Sequence, residues 1–108
     1  MPNNKNGHYE VRRSPIHGKG LFATRTIRQR SHIGRLEGPR TQRDGIHVLW
    51  IIEEDENSYG IRGTNDIRFA NHSSQPNAQW DGPDVYALRT IRPDEEILLH
   101  YGDDWKDV

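Results

Sequence analysis

The chain has 108 residues, which is enough for one domain with one hydrophobic core. Hydrophobic residues make up only 31% of it, and 15 basic residues against 16 acidic ones leave a net charge of −1. This near-balance argues against a protein that binds nucleic acid through bulk positive charge. The chain has no cysteine, so disulfides, thiolate zinc sites and cysteine nucleophiles are excluded. Without a signal-peptide pattern or an apolar run near the roughly 18 residues of a membrane span, we expect a soluble intracellular domain.

The order of elements along the chain predicts a mostly β structure. Residues 1–8 are expected to form a flexible N-terminus, and residues 9–108 a single domain. Glycine and proline then recur too often for a long helix. Both alternating sets of the run 84–91 contain apolar residues, which predicts a strand packed on both faces. In all, four runs with alternating or β-branched residues predict strands, at 8–12, 46–52, 84–91 and 96–100.

The first candidate site is Gly18-Lys19-Gly20, followed by Leu21-Phe22-Ala23. Two glycines one residue apart let a backbone turn tightly and approach a ligand without Cβ obstruction. The pattern fails as a dinucleotide fingerprint, because a third glycine and a following helix are missing. By itself it fits an ordinary tight turn as well as a ligand cradle.

The second candidate site is the polar run from Arg68 to Asn77, with the sequence RFANHSSQPN. Two Asn, two Ser and one Gln in this run can both donate and accept hydrogen bonds. The run fits either a polar binding site or an Asx-rich turn closed by Pro76. We expect no metal, because the six histidines show neither an i, i+4 pair nor HExxH spacing.

The third candidate site follows Pro93 and runs from Asp94 to Trp105, and it contains Glu95-Glu96-Ile97 and Tyr101-Gly102. A turn leads into an apolar strand that ends in a tyrosine beside a glycine. A tyrosine at a strand end is often only an amphipathic residue at the rim of a core. Tyr101 taken alone therefore carries no functional assignment.

Taken together, the three sites resemble the SET domain of protein-lysine methyltransferases. The segment Gly18 to Ala23 looks like the G-x-G cofactor turn of that family. The second site, together with Gly63 and Asn65, is similar to the family signature G-N-x-x-R-F-x-N-H-S-x-x-P-N, although Thr64 is inserted. The third site resembles its E-E-(L/I)-x-x-x-Y-G ending. The cysteine that usually follows N-H-S is Ser74 in this chain.

The resemblance implies a fold of short curved sheets, similar to a β-clip, with a pseudoknot near the C-terminus. Such crossings are rare in proteins, and this one would bring the N-H-S run and the Y-G ending together. A single SET domain would span residues 9–108, with no zinc-binding module before or after it.

The resemblance also implies an activity, the transfer of methyl groups from S-adenosylmethionine to the ε-amine of a lysine in a protein. Tyr101 matches the catalytic tyrosine, and Leu99 stands where a residue without a hydroxyl favours addition of two or three methyl groups. The residues that match the lysine channel are Tyr59, Leu99, Tyr101 and Trp105. The residues that match the cofactor site are Gly18, Lys19, Gly20, Leu21, Tyr59, Arg68, Asn71, His72 and Tyr101.

The same resemblance suggests partners. The substrate would be a protein with an exposed lysine, for example a histone tail, and the acidic run 53–56 could attract such a basic segment. That run also fits a solvated acidic turn. Because the chain lacks the cysteine-rich module that completes the lysine channel in many relatives, we expect a homodimer in which one subunit completes the other. We expect no membrane and no direct nucleic-acid contact.

Two other interpretations remain open. The chain could be a catalytically silent SET-like module that binds a peptide, or an arginine-rich protein associated with DNA. Retention of Tyr101, Asn71 and His72 favours the enzyme over the silent module, and the net charge of −1 disfavours the DNA-associated protein. The sequence indicates neither the target protein nor the cellular compartment.

Overall fold

A computed structural model describes residues 8–43, 45, 48–52 and 58–100 of the chain. Within these residues the backbone forms short strands and one 3-10 turn, Asp66–Phe69. No helix in the described ranges is long and apolar enough to cross a membrane. In chain order, the strands are β1 (Tyr9–Arg13), β2 (Lys19–Ala23), β3 (His32–Arg35), β4 (Arg40–Thr41), β5 (Val48–Ile52), β6 (Ser58–Arg62), β7 (Asn71–His72), β8 (Ala78–Asp81), β9 (Asp84–Ala87) and β10 (Leu98–Leu99).

The strands of the described residues pair into four small sheets. β1 and β2 form an antiparallel pair, and β7 pairs in parallel with β10. The two larger sheets have the strand orders β3-β9-β8 and β4-β6-β5, and all their pairs are antiparallel. Dense glycine and proline punctuation keeps each strand short, so the chain changes sheets every few residues. The predicted mostly β fold of short sheets is confirmed.

The core lies where these sheets meet, and its members come from elements far apart in the sequence. Leu21 comes from β2, Ile33 from β3, and Ile67 from the 3-10 turn. Val85 from β9 and Leu99 from β10 complete the group, and each of the five side chains is at most 1% exposed. Burial of one such side chain contributes about 1.5–3 kcal/mol. Because the apolar fraction is low, the fold depends on a few complete burials.

One predicted strand is shorter and less buried than its sequence pattern indicates. The run 84–91 continues as β9 only to Ala87. Val85 and Ala87 are buried, whereas Tyr86 is half-buried and Leu88 is 37% exposed. The prediction of a strand packed on both faces is therefore wrong, because the core covers only one face of this sheet. An apolar residue in each alternating set does not reveal how many faces are covered.

The segment 95–99 lies between β2 and β7. On one side, the main-chain N–H of Ile97 donates to the Leu21 carbonyl at 2.7 Å. On the other side, β10 pairs with β7, and the N–H of Ser73 donates to the Leu99 carbonyl at 2.9 Å. Because the segment bonds to two different neighbours in turn, β10 is shorter than the sequence predicts. The N-H-S run therefore meets the segment that leads to the Y-G ending. Tyr101 and Gly102 themselves lie outside the described residues, so the predicted meeting of the N-H-S run with the Y-G ending stays a prediction.

Asn77 stabilises the crossing of segment 95–99 and β7 through hydrogen bonds of both its side chain and its main chain. It is only 2% exposed. Its Nδ2 donates to the Glu96 carbonyl, and its Oδ1 accepts from the N–H of Leu98, both at 2.8 Å. Its main-chain N–H donates to the Leu98 carbonyl at 3.1 Å, and its carbonyl accepts from the N–H of Leu88 at 2.9 Å. The last asparagine of the second candidate site is thus a structural crosslink.

We expect Asn77→Ala to lower the free energy of unfolding by about 2–4 kcal/mol, because the Leu98 N–H and the Glu96 carbonyl lose their buried partner. Chemical denaturation followed by circular dichroism measures this loss. Gln79→Ala, on the exposed side of the neighbouring β8, is the control and should change stability by less than about 0.5 kcal/mol. Equal small losses in both variants would mean that the crossing is held by other contacts.

His8 is attached to the fold just before β1. Its carbonyl accepts a hydrogen bond from the N–H of Thr24 at 2.9 Å. Its side-chain Nδ1 is buried and has no hydrogen-bond partner among the described residues. Burial lowers the pKa of His8, and the charges of Arg25 and His32 lower this pKa further. The folded chain therefore favours the neutral form of His8.

The lowered pKa of His8 predicts that folding weakens as the pH falls below 6.5. In this range the unfolded chain binds a proton on His8 that the folded chain binds only at lower pH, so acid favours unfolding. We expect the fall in melting temperature between about pH 7.5 and about pH 5.5 to be smaller in His8→Gln than in the wild type. Thermal melts at matched ionic strength test this, and equal slopes would contradict it.

Candidate functional site

The turn between β1 and β2 forms the centre of the candidate site. The N–H of Ser14 donates to the Gly18 carbonyl at 2.7 Å. The Ser14 hydroxyl also accepts from the N–H of Ile16 at 3.0 Å. Gly18 has a φ of +48°, in the left-handed region, with open space where a Cβ would stand. Gly18 is therefore favoured by the backbone conformation of the turn.

The missing side chain of Gly20 serves a different purpose. A Cβ at this position would stand 2.2 Å from Glu96 Oε2 and 3.0 Å from the Cβ of Ser14. The carboxylate of Glu96 occupies the space that any side chain at position 20 would need. The two glycines of the first motif thus serve separate purposes, one for backbone geometry and one for close packing against a charged group.

Asn71, the first residue of β7, joins this turn to the second candidate site. Its Nδ2 donates to Glu96 Oε2 at 2.8 Å and to the carbonyl oxygens of His17 and Lys19, both at 3.2 Å. Carbonyl and ionised carboxylate oxygens only accept, so the nitrogen of the amide must face them. Asn71 Oδ1, which has no donor among the described residues, remains as an acceptor at the site.

Two cations flank the turn and share one aromatic ring. Lys19 Nζ lies 5.6 Å from the centroid of the Phe69 ring, and the guanidinium carbon of Arg68 lies 4.2 Å from it. Arg68 Nη1 also donates to the carbonyl oxygens of Thr64 at 2.7 Å and Asn65 at 2.8 Å. These contacts hold the guanidinium beside the 3-10 turn. Together the two charges favour an anionic group close to the turn.

A cavity of about 760 Å³ opens beside the turn. Its volume lies in the range of roughly 300–1,000 Å³ that is typical of small-molecule sites. Arg12 on its wall pairs with Glu10 and, at 2.9 Å, with Asp94, and these hydrogen bonds raise the pKa of Arg12. The cavity is lined by Val11, Arg12, Arg13, Ser14, Gly18 and Lys19.

The structure brings several predicted site residues together around this cavity and turn. Lys19 and Asn71 are hydrogen-bonded, and Arg68 approaches the same aromatic ring as Lys19. His72 follows Asn71 in β7, and its ring lies 4.9 Å from the ring of His100, measured between centroids. Leu21 is 0% exposed, so its side chain packs in the core. Its main chain pairs with Val11 of β1.

The side chains of Leu99 and Tyr59 are not among those that the structure joins to the turn. Leu99 is 0% exposed and its side chain belongs to the core. Tyr59 lies in β6, between β4 and β5, and the guanidinium carbon of Arg40 lies 3.9 Å from the centroid of its ring. Among the described residues, no hydrogen bond or ring contact joins Tyr59 to the turn. Tyr101 and Trp105 lie outside the described residues, and their roles stay predictions.

A second cavity, of about 380 Å³, lies on the β8–β9 hairpin, and its lining among the described residues includes no predicted site residue. No group of three His, Asp or Glu side chains in the described ranges could hold a metal ion. The second cavity is lined by Arg30, Gln79, Trp80, Asp81, Tyr86 and Ala87.

Sequence reasoning missed two side chains of the site, Ser14 and Glu96. Ser14 carried no motif, and its only signal was its position before Pro15 at the start of the turn. Glu96 belongs to the third motif, but nothing in the sequence shows whether Glu95 or Glu96 faces inward. The structure resolves this, because Ser14 Oγ lies 2.9 Å from both carboxylate oxygens of Glu96.

Comparison with known proteins gives the family. Residues 18–102 match the model of the SET domain family, and the chain belongs to this family. No curated protein sequence matches the chain significantly. The match covers all three motifs, from Gly18 at the turn to Gly102 at the end of the third motif.

Solved structures share the fold. A Plasmodium falciparum protein named as a candidate histone methyltransferase has a TM-score of 0.69 and 23% identity, over 91% of this chain and 96% of that chain. The methyltransferase domain of human PR domain-containing protein 2 has a TM-score of 0.71 and 16% identity, over 94% and 82%. The methyltransferase domain of human histone-lysine N-methyltransferase SETMAR has a TM-score of 0.78 and 21% identity, over 90% and 45%. The SET-type fold is thereby confirmed.

The two glycines predict different results of one substitution. Gly18→Ala places a methyl group in open space and costs about 1 kcal/mol through the left-handed backbone. Gly20→Ala costs about 1–3 kcal/mol through overpacking and displaces the Glu96 carboxylate from Asn71. Chemical denaturation measures the losses, and nuclear magnetic resonance follows the side-chain amide of Asn71. Gly20→Ala should move those amide signals further than Gly18→Ala, because it displaces the charged acceptor at 2.8 Å, whereas Gly18→Ala affects only the two carbonyl contacts at 3.2 Å. Equal movement in both variants would contradict this role of Gly20.

Proposed function

We propose that the chain is an S-adenosylmethionine-dependent protein-lysine N-methyltransferase. The observation that carries the proposal is the Asn71 side-chain nitrogen, which binds the His17 and Lys19 carbonyls and the Glu96 carboxylate at one point. This point joins all three motifs of the SET family beside a cavity of suitable volume. Family membership supports methyl transfer as the class of reaction.

The polar groups at the turn suit the amino-acid end of the cofactor. An α-ammonium group needs acceptors, and Asn71 Oδ1 offers one. An α-carboxylate needs positive charge, which Lys19 and Arg68, both in contact with the Phe69 ring, supply. We assign the adenine to the neighbourhood of His72. When bound, the cofactor supplies a methyl group on a positively charged sulfur.

The substrate lysine must lose a proton before it can attack. A free lysine amine has a pKa of about 10.4 and is charged near neutrality. Exclusion of water and a nearby positive charge both lower this pKa. We assign to the Tyr101 hydroxyl the task of orienting the amine lone pair, since Tyr101 matches the catalytic tyrosine of the SET family. The proton itself can leave to water, so Tyr101 need not be a strong base.

Tyr59 and Trp105 are the proposed aromatic walls of the lysine channel. Leu99, whose side chain packs in the core, is proposed to lie behind these walls. Aromatic walls exclude water and attract an alkylammonium group by cation–π interaction. One face of Tyr59 already carries the guanidinium of Arg40. A substrate lysine would therefore use the opposite face or displace Arg40. Leu99 lacks a hydroxyl that could bind water in the channel, which favours addition of two or three methyl groups.

The proposed substrate is a basic segment of another protein, with a histone tail as one candidate. The acidic run 53–56 supports this choice by charge complementarity. A homodimer is part of the proposal, because the apolar fraction of 31% supports only a small core and shared burial would enlarge it. The alternative is a silent module that binds a peptide without turnover.

Tyr101→Phe tests the activity and the catalytic assignment together. We expect the variant to fold and to bind S-adenosylhomocysteine as the wild type does, but to transfer methyl groups on the order of 100-fold more slowly. Only the hydroxyl that orients the amine is removed. The measurements are transfer of a tritiated methyl group to core histones and to a lysine-containing peptide library, and calorimetric binding of S-adenosylhomocysteine. Tyr86→Phe, on β9, removes a tyrosine hydroxyl that is not part of the proposed site, so it is the matched control and should keep the wild-type rate.

Each failure has a different meaning. Wild-type rates in Tyr101→Phe would contradict the catalytic role of Tyr101. Binding of S-adenosylhomocysteine without methyl transfer to any substrate would favour the silent module. If the wild type bound no S-adenosylhomocysteine at millimolar concentration, the proposed cofactor would be wrong.

A further inference from the structure

The geometry points to Glu96 as a positioning residue, which holds the Asn71 amide and the turn 14–20 in the shape that receives the amino-acid end of the cofactor. This inference rests on the proposed function, since it names a residue that prepares the proposed site. Glu96 would not touch the substrate lysine. It acts through Asn71, which belongs to the second motif, and through Ser14, which precedes the first motif and belongs to none of the three.

The carboxylate of Glu96 lies at the meeting point of the site. Both of its oxygens lie 2.9 Å from the Ser14 hydroxyl, and Oε2 accepts from Asn71 Nδ2 at 2.8 Å. This is the shortest of the three contacts of that nitrogen, and it is the one to a charged acceptor. Charge-assisted hydrogen bonds are about twice as strong as neutral ones, so Glu96 dominates the orientation of the amide.

The absence of a side chain at position 20 fits the same role. A Cβ added at position 20 would lie only 2.2 Å from Glu96 Oε2, so the two atoms could not both be accommodated. A glycine in β2 therefore lets the carboxylate approach the main chain beside Lys19 closely. The space that a side chain at position 20 would fill is occupied by the carboxylate of Glu96, which is 76 positions later in the sequence.

The main chain of Glu96 is fixed from two sides. It forms an isolated antiparallel bridge with Phe22 of β2. Its carbonyl accepts from Asn77 Nδ2 at 2.8 Å. A carboxylate on such a constrained backbone loses little further freedom when it binds Asn71, so it can hold a neighbour in place.

The orientation of Asn71 is what this arrangement protects. If the amide turned over, Oδ1 would face the Glu96 carboxylate and two carbonyl oxygens, which is electrostatically unfavourable. With the nitrogen held inward, Oδ1 remains an acceptor for the ammonium group of the cofactor. The amide thus has one orientation before any ligand binds, and preorganisation of this kind raises affinity.

Glu95 provides a natural control within the same motif. Its carboxylate pairs with Arg89 Nη2 at 2.8 Å and accepts from the N–H of Arg92 at 2.8 Å. The hydrogen bond from Arg89, followed by that from Arg92, lowers the pKa of Glu95. All of these contacts lie on the surface turn before β10. Removal of Glu95 therefore changes a surface ion pair and leaves the candidate site intact.

The test compares Glu96→Ala, Glu96→Gln and the control Glu95→Ala with two ligands by calorimetry. S-adenosylhomocysteine carries the amino-acid end, and 5′-methylthioadenosine lacks it. We expect Glu96→Ala to lower the affinity for S-adenosylhomocysteine by about tenfold or more, because one charge-assisted hydrogen bond is lost. Its affinity for methylthioadenosine should stay within about twofold of that of the wild type. In the wild type the Ser14 hydroxyl donates to the Glu96 carboxylate. Glu96→Gln keeps a neutral acceptor for Asn71 and places an amide N–H against the Ser14 hydroxyl, so it should lose less affinity than Glu96→Ala.

Several results would overturn the inference. An equal loss of affinity for both ligands in Glu96→Ala would mean a general loss of structure. Equal weakening of S-adenosylhomocysteine binding in Glu96→Ala and Glu96→Gln would mean that an acceptor at position 96 does not by itself orient Asn71, which contradicts the positioning role. Unchanged affinity in Glu96→Ala would remove the role altogether.

A ligand-free measurement separates this inference from the proposed function. In the free protein, Glu96→Ala should move the side-chain amide signals of Asn71 in nuclear magnetic resonance spectra, and Glu95→Ala should not. If the wild type binds neither ligand but these signals move, the proposed cofactor is wrong and the link from Glu96 to Asn71 stands. If the signals do not move, the positioning role is wrong whatever the ligands do.

Discussion

The crossing of segment 95–99 over the run 71–77 is the constraint on which the rest of the structure depends. Asn71 and Glu96 are 25 positions apart in sequence, yet their side chains are bonded at 2.8 Å. The entropy of closing such a loop must be offset by contacts made at the crossing. The parallel pairing of β7 with β10, the hydrogen bonds of Asn77 and the complete burial of Leu99 supply them.

The crossing also divides similar residues between structure and binding. Asn77 is buried and all its side-chain hydrogen-bonding atoms are paired with the segment 96–98, whereas Asn71 is half-buried and keeps one acceptor. Glu95 forms a surface ion pair, whereas Glu96 faces the turn. In each pair one residue stabilises the crossing or its surface, and the other extends the network to the edge of a cavity. At the candidate site this hydrogen-bond network ends in Asn71 Oδ1, an acceptor that remains available for a ligand.

The class of fold and the approximate position of the site could be predicted from the sequence, because turn residues and motif spacing are local signals. The meeting of Asn71 with the turn followed from the family resemblance, and the structure agrees. The inward direction of Glu96 could not be predicted, since a strand of only two residues fixes no alternation. The exposure of Leu88 was also missed, because the number of covered faces depends on neighbouring sheets. Tyr59, Tyr101 and Trp105 remain predictions from the resemblance.

The most direct test of the proposed site is a titration of isotope-labelled protein with S-adenosylhomocysteine, followed by nuclear magnetic resonance. We expect saturable changes in the amide signals of Gly18, Lys19 and Gly20 and in the side-chain amide of Asn71, because these groups surround the proposed amino-acid end. The hairpin that carries Trp80 should not respond. Changes centred on that hairpin, or no change at millimolar ligand, would contradict the assignment of the turn and Asn71 as the cofactor site.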